Sequence, residues 1–131
     1  MDLPPSEDTR IRVLIADDDP AFLRSLEQLI GQQPELAVMG VAGDGLEAIE
    51  LVERLDPDAV VLDLHMPLLD GVSATARLRR DHPSLCLIAL TGDEAPALHR
   101  AVRDAGADEV LLKNDLLEGL LDRLATLRAR G

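Results

Sequence analysis

The chain has almost no aromatic residues. Among its 131 residues there is one phenylalanine, Phe22, and neither tryptophan nor tyrosine, so leucine, valine, isoleucine and alanine must fill the core. The single cysteine, Cys86, excludes an intramolecular disulfide and favours a reducing compartment, with the thiol as an inert core residue. No apolar run reaches the roughly 18 residues of a membrane span, so we expect a cytoplasmic chain without membrane contact.

Basic residues are also scarce, at 13 Lys and Arg against 25 Asp and Glu, for a net charge of −12. This balance disfavours direct contact with nucleic acid, whose phosphates require a positive surface. The length predicts one domain with a real core. We expect residues 1–10 to be a flexible N-terminal segment, residues 11–128 to be the domain, and residues 129–131 to be a tail or the start of a linker.

One acid stands at the end of an apolar run in the middle of the chain. The run Ala59–Leu62 predicts a buried strand, Asp63 ends it, and the pair Asp70-Gly71 predicts a turn before the next helix. A carboxylate at the end of a buried strand is costly unless it binds something. Because ligands bind at the carboxyl edge of open parallel sheets, Asp63 is the candidate reacting group.

Three further apolar runs also end on polar residues. They are Ile11–Ala16 before Asp17-Asp18-Asp19, Leu85–Leu90 before Thr91, and Glu109–Leu112 before Lys113. With the run Leu36–Ala42, they give five strands that alternate with five helices.

This alternation predicts an α/β fold with a parallel sheet. The first, third and fourth strands are the most apolar and should be central, with the second and the short fifth strand at the edges, which gives the order 2-1-3-4-5. Asp17, Asp18 and Asp63 then meet at the switch point between the first and third strands.

The helices are predicted from apolar spacing and capping residues. They cover Pro20 to Gly31, the segment after an Asp44 cap to Leu55, Gly71 to about Arg80, about Glu94 to Ala105, and about Leu116 to Arg128 after an Asn114 or Asp115 cap. We expect Asp19 to be a helix cap, Asp70 a turn residue, and Asp93 either a cap or a residue that tunes the site. The expected inward residues include Leu46 in the second helix, Ala76 in the third and Ala101 in the fourth.

The clustered acids predict a cation. Carboxylates packed together either take up a proton or bind a metal, and oxygen ligands that work with phosphate favour Mg²⁺. Asp63 is then placed to act as a nucleophile toward phosphorus, while Thr91 and Lys113 contact phosphoryl oxygens. We expect His65, His82 and His99 not to be metal ligands through their side chains, and His82 and His99 to lie at the surface.

The ordered set Asp17-Asp18, Asp63, Thr91 and Lys113 resembles the receiver domain of two-component response regulators, as do the segments 63–71, 105–108 and 112–113. The resemblance implies a flavodoxin-like three-layer sandwich with five helices. It implies that Asp63 accepts phosphate from a histidine kinase, so that the protein is a self-phosphorylating and autodephosphorylating switch and not a turnover enzyme. It also implies that Asp18, Asp63 and the main-chain carbonyl of His65 bind Mg²⁺ directly, and Asp17 largely through water.

The same resemblance implies the partners. They are a sensor histidine kinase or a phosphotransfer protein, and an output domain or protein partner, with a C-terminal DNA-binding domain cut off by the end of the sequence as one form of output. A homodimer stays open. Val110 stands where the family usually has an aromatic residue, and Asn114 where it often has proline. The aromatic part of the family's switch is therefore absent.

Two alternatives remain. One is a receiver-like interaction module that works without phosphorylation, which the missing aromatic at Val110 suggests. The other is a small aspartyl-nucleophile phosphohydrolase similar to haloacid-dehalogenase-type enzymes, because Asp17 and Asp19 have the Asp-x-Asp spacing of that class. The chain shows no cap insertion of the kind those enzymes usually need.

Overall fold

The computed structural model describes residues 10–66, 68–113, 119–124 and 126. The strands are β1 Ile11–Ala16, β2 Leu36–Ala42, β3 Ala59–Asp63, β4 Cys86–Thr91 and β5 Glu109–Leu112. The helices that follow the first four strands are α1 Pro20–Gly31, α2 Gly45–Leu55, α3 Gly71–Asp81 and α4 Pro96–Ala105. Residues 119–124 and 126 are helical and belong to the fifth helix. The predicted cap of that helix at Asn114 or Asp115, the N-terminal segment 1–9 and the tail 129–131 lie outside the described residues.

The five strands form one parallel sheet in the order β2-β1-β3-β4-β5, which confirms the predicted topology. Strands β3 and β4 are buried along their whole length, as their unbroken apolar sequences predict. Because β1 and β3 are neighbours while β2 lies outside β1, the chain reverses its direction of winding between β1 and β3. The carboxyl ends of these two strands therefore border the crevice where such sheets bind ligands.

Alternate residues of the central strands face two separate cores. Val13, Ile15, Val61 and Ile88 face one side, where α1 and the fifth helix contribute Leu26, Ile30, Leu120 and Leu124. Leu14, Val60, Leu62 and Leu87 face the other side, where α2 and α3 contribute Val52 and Leu78. The molecule is thus a three-layer sandwich, since successive side chains of a strand point to opposite faces of the sheet. No helix among the described residues is long and apolar enough to cross a membrane.

Three acids begin helices at the carboxyl edge of the sheet. The carboxylates of Asp19 and Asp44 accept hydrogen bonds from backbone N–H groups one turn or less ahead, and both serve as N-caps. Asp70 is also an N-cap, because its carboxylate accepts from the N–H and the hydroxyl of Ser73. The prediction of Asp70 as a turn residue was therefore incomplete: the Asp-Gly pair ends the loop and starts α3.

Three of the predicted inward residues are exposed. Leu46 is 46% exposed, because Gly45 before it is the residue pressed against Leu69 and Ala48 takes the inner position. In α3 the buried residues are Gly71, Ala74, Thr75 and Leu78, with Ala76 outside. The apolar pattern missed this face because Thr75 is polar, yet its hydroxyl is satisfied by donating to the Gly71 carbonyl. In α4, which packs near the sheet edge, Val102 is buried and Ala101 is exposed.

Candidate functional site

The carboxyl edge of the sheet brings together the polar residues that end four strands. Asp63 and Thr91 are the last residues of β3 and β4, and Asp17 and Lys113 directly follow β1 and β5. Leu62 pairs with Ala16 on one side and Asp63 pairs with Leu90 on the other, so the neighbouring strands end at nearly the same level. Parallel strands in close register therefore place these side chains around one crevice.

An acidic cluster lies in this crevice. One carboxylate oxygen from each of Asp17, Asp18 and Asp63 lies within 4.8 Å of the others. Asp17 and Asp63 are only 1% and 2% exposed, whereas Asp18 is exposed to solvent. Buried like charges at this separation repel strongly, so the cluster favours a bound cation that the three carboxylates could hold. Oxygen-only ligands of this kind suit a hard divalent ion.

Lys113 contacts two of these acids. Its ammonium nitrogen lies 2.7 Å from Oδ2 of Asp17 and 3.6 Å from Oδ1 of Asp63. Burial of the ammonium works against the charged form, but the hydrogen bond to Asp17 and the charges of Asp63 and Asp17 outweigh it and raise the pKa of Lys113. The lysine is therefore a fixed positive charge at the site. Its one positive charge does not balance the three carboxylates of the cluster.

Asp63 is held in an environment that disfavours its charged form. Burial, and next the charge of Asp17, raise the pKa of the Asp63 carboxyl against the opposing effects of the His65 N–H and Lys113. The His65 N–H donates weakly to Oδ1 of Asp63 at 3.3 Å, and Asp17 accepts a shorter 2.9 Å bond from the N–H of Asp19. A buried carboxylate with few hydrogen bonds and a raised pKa in a crevice is typical of functional groups, so Asp63 stays the candidate reacting residue.

Thr91 is fully buried, and its hydroxyl oxygen accepts a 2.9 Å hydrogen bond from the Asp93 N–H. Its hydroxyl hydrogen therefore remains available as a donor. The Nε2 atom of His65 lies 3.4 Å from the same oxygen, which connects the loops after β3 and β4. Asp93 is not the cap of α4: that position is Ala95, whose N–H donates to the Asp93 carboxylate.

The remaining histidines lie away from the acidic cluster. His82 and His99 are half-buried rather than at the open surface as predicted. Nε2 of His99 lies 2.7 Å from the Asp93 carbonyl, which ties the first turn of α4 to the loop before it. Within the described residues, no metal-sized cluster of His, Cys, Asp or Glu includes either one. Cys86 is buried, and burial raises the pKa of its thiol, as expected for an inert core residue.

Sequence reasoning missed one residue at this site. The ring of Phe22 lies under the Lys113 ammonium, with 4.5 Å between the nitrogen and the ring centroid. The apolar spacing of α1 assigned Phe22 to the core, and it does pack against the core beneath that helix. A signal was available in the sequence: Phe22 is in the first turn of a helix that begins at the acidic edge.

The family description "Response regulator receiver domain" matches residues 13–125. The chain belongs to this family. It is 41% identical over 118 residues to the nitrate/nitrite response regulator protein NarP of Escherichia coli K12, covering 90% of this chain and 55% of that protein. This receiver domain therefore spans about half the length of that relative.

Longer relatives include enzymes, and solved receivers share the fold. A protein-glutamate methylesterase/protein-glutamine glutaminase of Pseudoalteromonas atlantica is 36% identical over 123 residues, with 91% of this chain and 32% of that protein covered. The isolated receiver domain of RcsB from Salmonella enterica serovar Typhimurium, solved with the phosphomimetic BeF₃⁻, superimposes with a TM-score of 0.84 at 31% identity. That match covers 92% of this chain and 89% of the other. The flavodoxin-like receiver fold is thereby confirmed.

Proposed function

We propose that this receiver domain accepts a phosphoryl group on Asp63 from a histidine kinase or a phosphotransfer protein, in a reaction that requires Mg²⁺. The observation that carries the proposal is the setting of Asp63. Its buried carboxylate lies in a three-acid cluster and 3.6 Å from the one lysine of the sequence. A purely structural ion pair needs one acid for one ammonium, and here two nearly buried acids share one. Phosphoryl transfer would use both acids and the ammonium.

The residues present fit a magnesium ion. Asp18 and Asp63 would bind it directly together with the main-chain carbonyl of His65, and Asp17 largely through water. Asp18 is exposed, whereas the other two acids are buried, so the cluster is open to solvent on one side. Mg²⁺ keeps several water ligands and requires such an opening. When bound, the ion would neutralise charge on the acids and on the incoming phosphoryl group.

The chain's own residues account for the transfer. A carboxylate oxygen of Asp63 forms a bond to phosphorus while the bond from phosphorus to the imidazole nitrogen of a donor phosphohistidine breaks, and the released imidazole takes up a proton. Lys113 contacts one phosphoryl oxygen as a point charge. The Thr91 hydroxyl donates a hydrogen bond to another phosphoryl oxygen. It is free to donate because its oxygen accepts, rather than donates, in the bond with the Asp93 N–H.

Water later attacks the phosphorus and the bond from phosphorus to the Asp63 oxygen breaks, which releases inorganic phosphate and restores the carboxylate. In this proposal the phosphorylated state serves as a signal, and the protein is a switch and not a turnover enzyme.

The new charge would bias two conformations of the β4–α4 region. Thr91 moves toward the phosphoryl group, and the loop that carries Asp93 and the His99 contact follows it. Val110 packs with Leu64, Ala89 and Val102, so the route from β5 to α4 is aliphatic. The output is a partner protein or an appended domain such as a DNA-binding one, with no nucleic-acid contact by this domain. A cytoplasmic location completes the proposal, and a homodimer stays open.

Intact-mass spectrometry tests the proposal. Incubation with acetyl phosphate and excess Mg²⁺ should add one phosphoryl group, ~80 Da, to the wild type, and a chelator should prevent this. Asp63→Asn should show no gain. Asp70→Asn is the matched control, because Asp70 is an exposed helix cap in the loop after the site and asparagine caps helices equally well. An unchanged mass in the wild type, or an equal gain in Asp63→Asn, would overturn the assignment.

The absence of an aromatic residue at Val110 favours one alternative, an interaction module that binds its partner in both states. Equal affinity of a partner for the phosphorylated and unphosphorylated chain would support it. The phosphohydrolase alternative has less support, because Asp17, its nucleophile by position, is bound to Lys113 and to the Asp19 N–H. Steady release of phosphate from a simple phosphomonoester, at many turnovers per protein, would revive it.

A further inference from the structure

Lys113 and Phe22 are the one lysine and the one aromatic residue of the sequence, and the structure stacks them. Their chain positions do not require this contact, because Phe22 lies on α1 and Lys113 follows β5 at the far side of the sheet order. The nitrogen-to-centroid distance of 4.5 Å is within the range of a cation–π interaction, in which the ring face attracts a positive charge.

The ring differs from the other groups around the ammonium. Asp17 at 2.7 Å and Asp63 at 3.6 Å are also the residues that would share their charge with a metal ion and with a phosphoryl group. Their hold on Lys113 therefore weakens as the site fills. The Phe22 ring is a ligand of neither a metal ion nor a phosphoryl group, so filling the site does not engage the ring itself.

The position of Phe22 on α1 brings its ring to the Lys113 ammonium. Leu26 and Ile30 farther along α1 are buried, whereas Phe22 is only half-buried and lies where the helix meets the crevice. The cap Asp19 donates its N–H to Asp17, so α1 and the acid that Lys113 contacts are held together. The Lys113 ammonium thus contacts the ring as well as Asp17 and Asp63.

We propose that Phe22 is a positioning residue for Lys113, whose ring face keeps the ammonium beside Asp63 when the carboxylates are engaged by other ligands. Its effect on phosphorylation rests on the function proposed above, but the contact itself does not. Phe22→Leu removes the ring and keeps apolar volume and helix propensity, whereas Phe22→Tyr keeps the ring. Leu29→Ala is the packing control, because Leu29 is a partly buried residue of α1 that packs against the same core.

The contact is tested by NMR on protein labelled with ¹³C-lysine, which gives a single lysine signal. A ring 4.5 Å away should shift the side-chain ε protons of Lys113 upfield in the wild type, in Phe22→Tyr and in Leu29→Ala, and this shift should vanish in Phe22→Leu. An identical lysine signal in the wild type and Phe22→Leu would overturn the proposal. This measurement needs neither metal nor phosphate.

The positioning role is tested by titration with BeF₃⁻ and excess Mg²⁺, followed on the same lysine signal. Phe22→Leu should bind about 2- to 5-fold more weakly than the wild type, as loss of one partly exposed cation–π contact predicts, while Phe22→Tyr and Leu29→Ala stay close to it. Equal affinity of Phe22→Leu and the wild type, or equal weakening in Leu29→Ala, would overturn the role. Failure of the wild type itself to bind BeF₃⁻ would instead overturn the proposed function, whatever the NMR result.

Discussion

The two edges of the sheet both carry charged residues, and they satisfy them differently. At the amino-terminal edge, the Arg79 guanidinium donates to the Asp108 carboxylate and to the carbonyls of Pro83, Leu85 and Gly106. Asp108 in turn accepts from the Leu87 N–H at the start of β4. At the carboxyl edge, Asp63 receives one long hydrogen bond and shares a single lysine with Asp17.

A second arginine repeats the pattern of the amino-terminal edge. Arg12 donates to the carbonyls of Leu55 and Asp56 at the end of α2, and its N–H donates to the Asp58 carboxylate before β3. Charges there complete the hydrogen bonding of helix and strand ends.

The contrast separates charges that serve the fold from those of the acidic cluster. Arg12, Arg79 and Asp108 at the amino-terminal edge bond largely with backbone groups. Asp17 and Asp63 at the carboxyl edge share one lysine.

The largest expected effect is at the amino-terminal edge. Arg79→Ala removes the Arg79 donor from three carbonyls and one of the donors to the Asp108 carboxylate, so we expect the free energy of unfolding to fall by about 2–4 kcal/mol. Arg80→Ala is the control, because Arg80 is 71% exposed in its side chain, pairs with Asp81 alone among the described residues and should change stability little. Urea unfolding followed by circular dichroism measures both. A loss under 1 kcal/mol for Arg79→Ala would show that the charges at the amino-terminal edge do not stabilise the fold as described.

Removal of a charge at the carboxyl edge should change the free energy of unfolding in the opposite direction. In the absence of metal, Asp63→Asn relieves repulsion from Asp17 and the cost of a buried charge, so we expect stability at pH 7 to rise by about 1 kcal/mol. Added Mg²⁺ should stabilise the wild type and not Asp63→Asn, since binding to the folded state adds stability.

Asp58→Asn at the other edge provides the matched control for that experiment. Its carboxylate accepts from the Arg12 N–H, so the variant should be no more stable than the wild type and should keep the full response to Mg²⁺. Chemical unfolding in chelator and in excess Mg²⁺ gives both quantities. An Asp63→Asn protein that is less stable than the wild type in chelator would show that the acid is structural.

Asp70 lies at the same edge of the sheet as the acidic cluster, but it is an ordinary helix cap. Hydrogen bonds from the Ser73 N–H and then its hydroxyl lower the pKa of Asp70 below its ordinary value of 3.8. The stability it adds is therefore present above that value and is lost as the pH falls through the lower folded-state pKa. We expect Asp70→Ala to cost about 1 kcal/mol at pH 7 and progressively less below about pH 4. Asp70→Asn, a cap without a charge, should show no such dependence.

The smallest effect concerns backbone strain beside the site. Leu68 has a φ of 70° and is 76% exposed, so it combines an unfavourable backbone conformation with little burial. Leu68→Gly should raise the free energy of unfolding by about 0.5–1 kcal/mol, because glycine adopts this conformation without the Cβ clash. Leu68→Ala keeps the Cβ and should gain less. Equal thermal stabilities of the two variants would show that the loop carries no strain.

Much of the fold followed from the sequence. The apolar character of the first, third and fourth strands predicted the strand order. The polar residues that end four runs, Asp17, Asp63, Thr91 and Lys113, were predicted to meet because parallel strands in one sheet end at one edge. The caps Asp19 and Asp44 were predicted from local chemistry. The exposure of Leu46 was not predicted. Which side of a helix is buried depends on the residue that contacts the neighbouring element, and this residue is not fixed by the helix's own sequence. The role of Arg79 escaped prediction because its acceptors are mostly backbone carbonyls.

The sequence by itself determined that four polar residues gather at one end of a parallel sheet, since the alternation of strands and helices forces every strand to point the same way. Only the tertiary structure decided how they pair: Lys113 lies 0.9 Å closer to Asp17 (2.7 Å) than to Asp63 (3.6 Å) and rests on the Phe22 ring. Electrostatic and ring contacts depend on separations of a few ångströms between different elements. The packing of α1 and β5 against the sheet sets these separations, and no spacing along the chain records them.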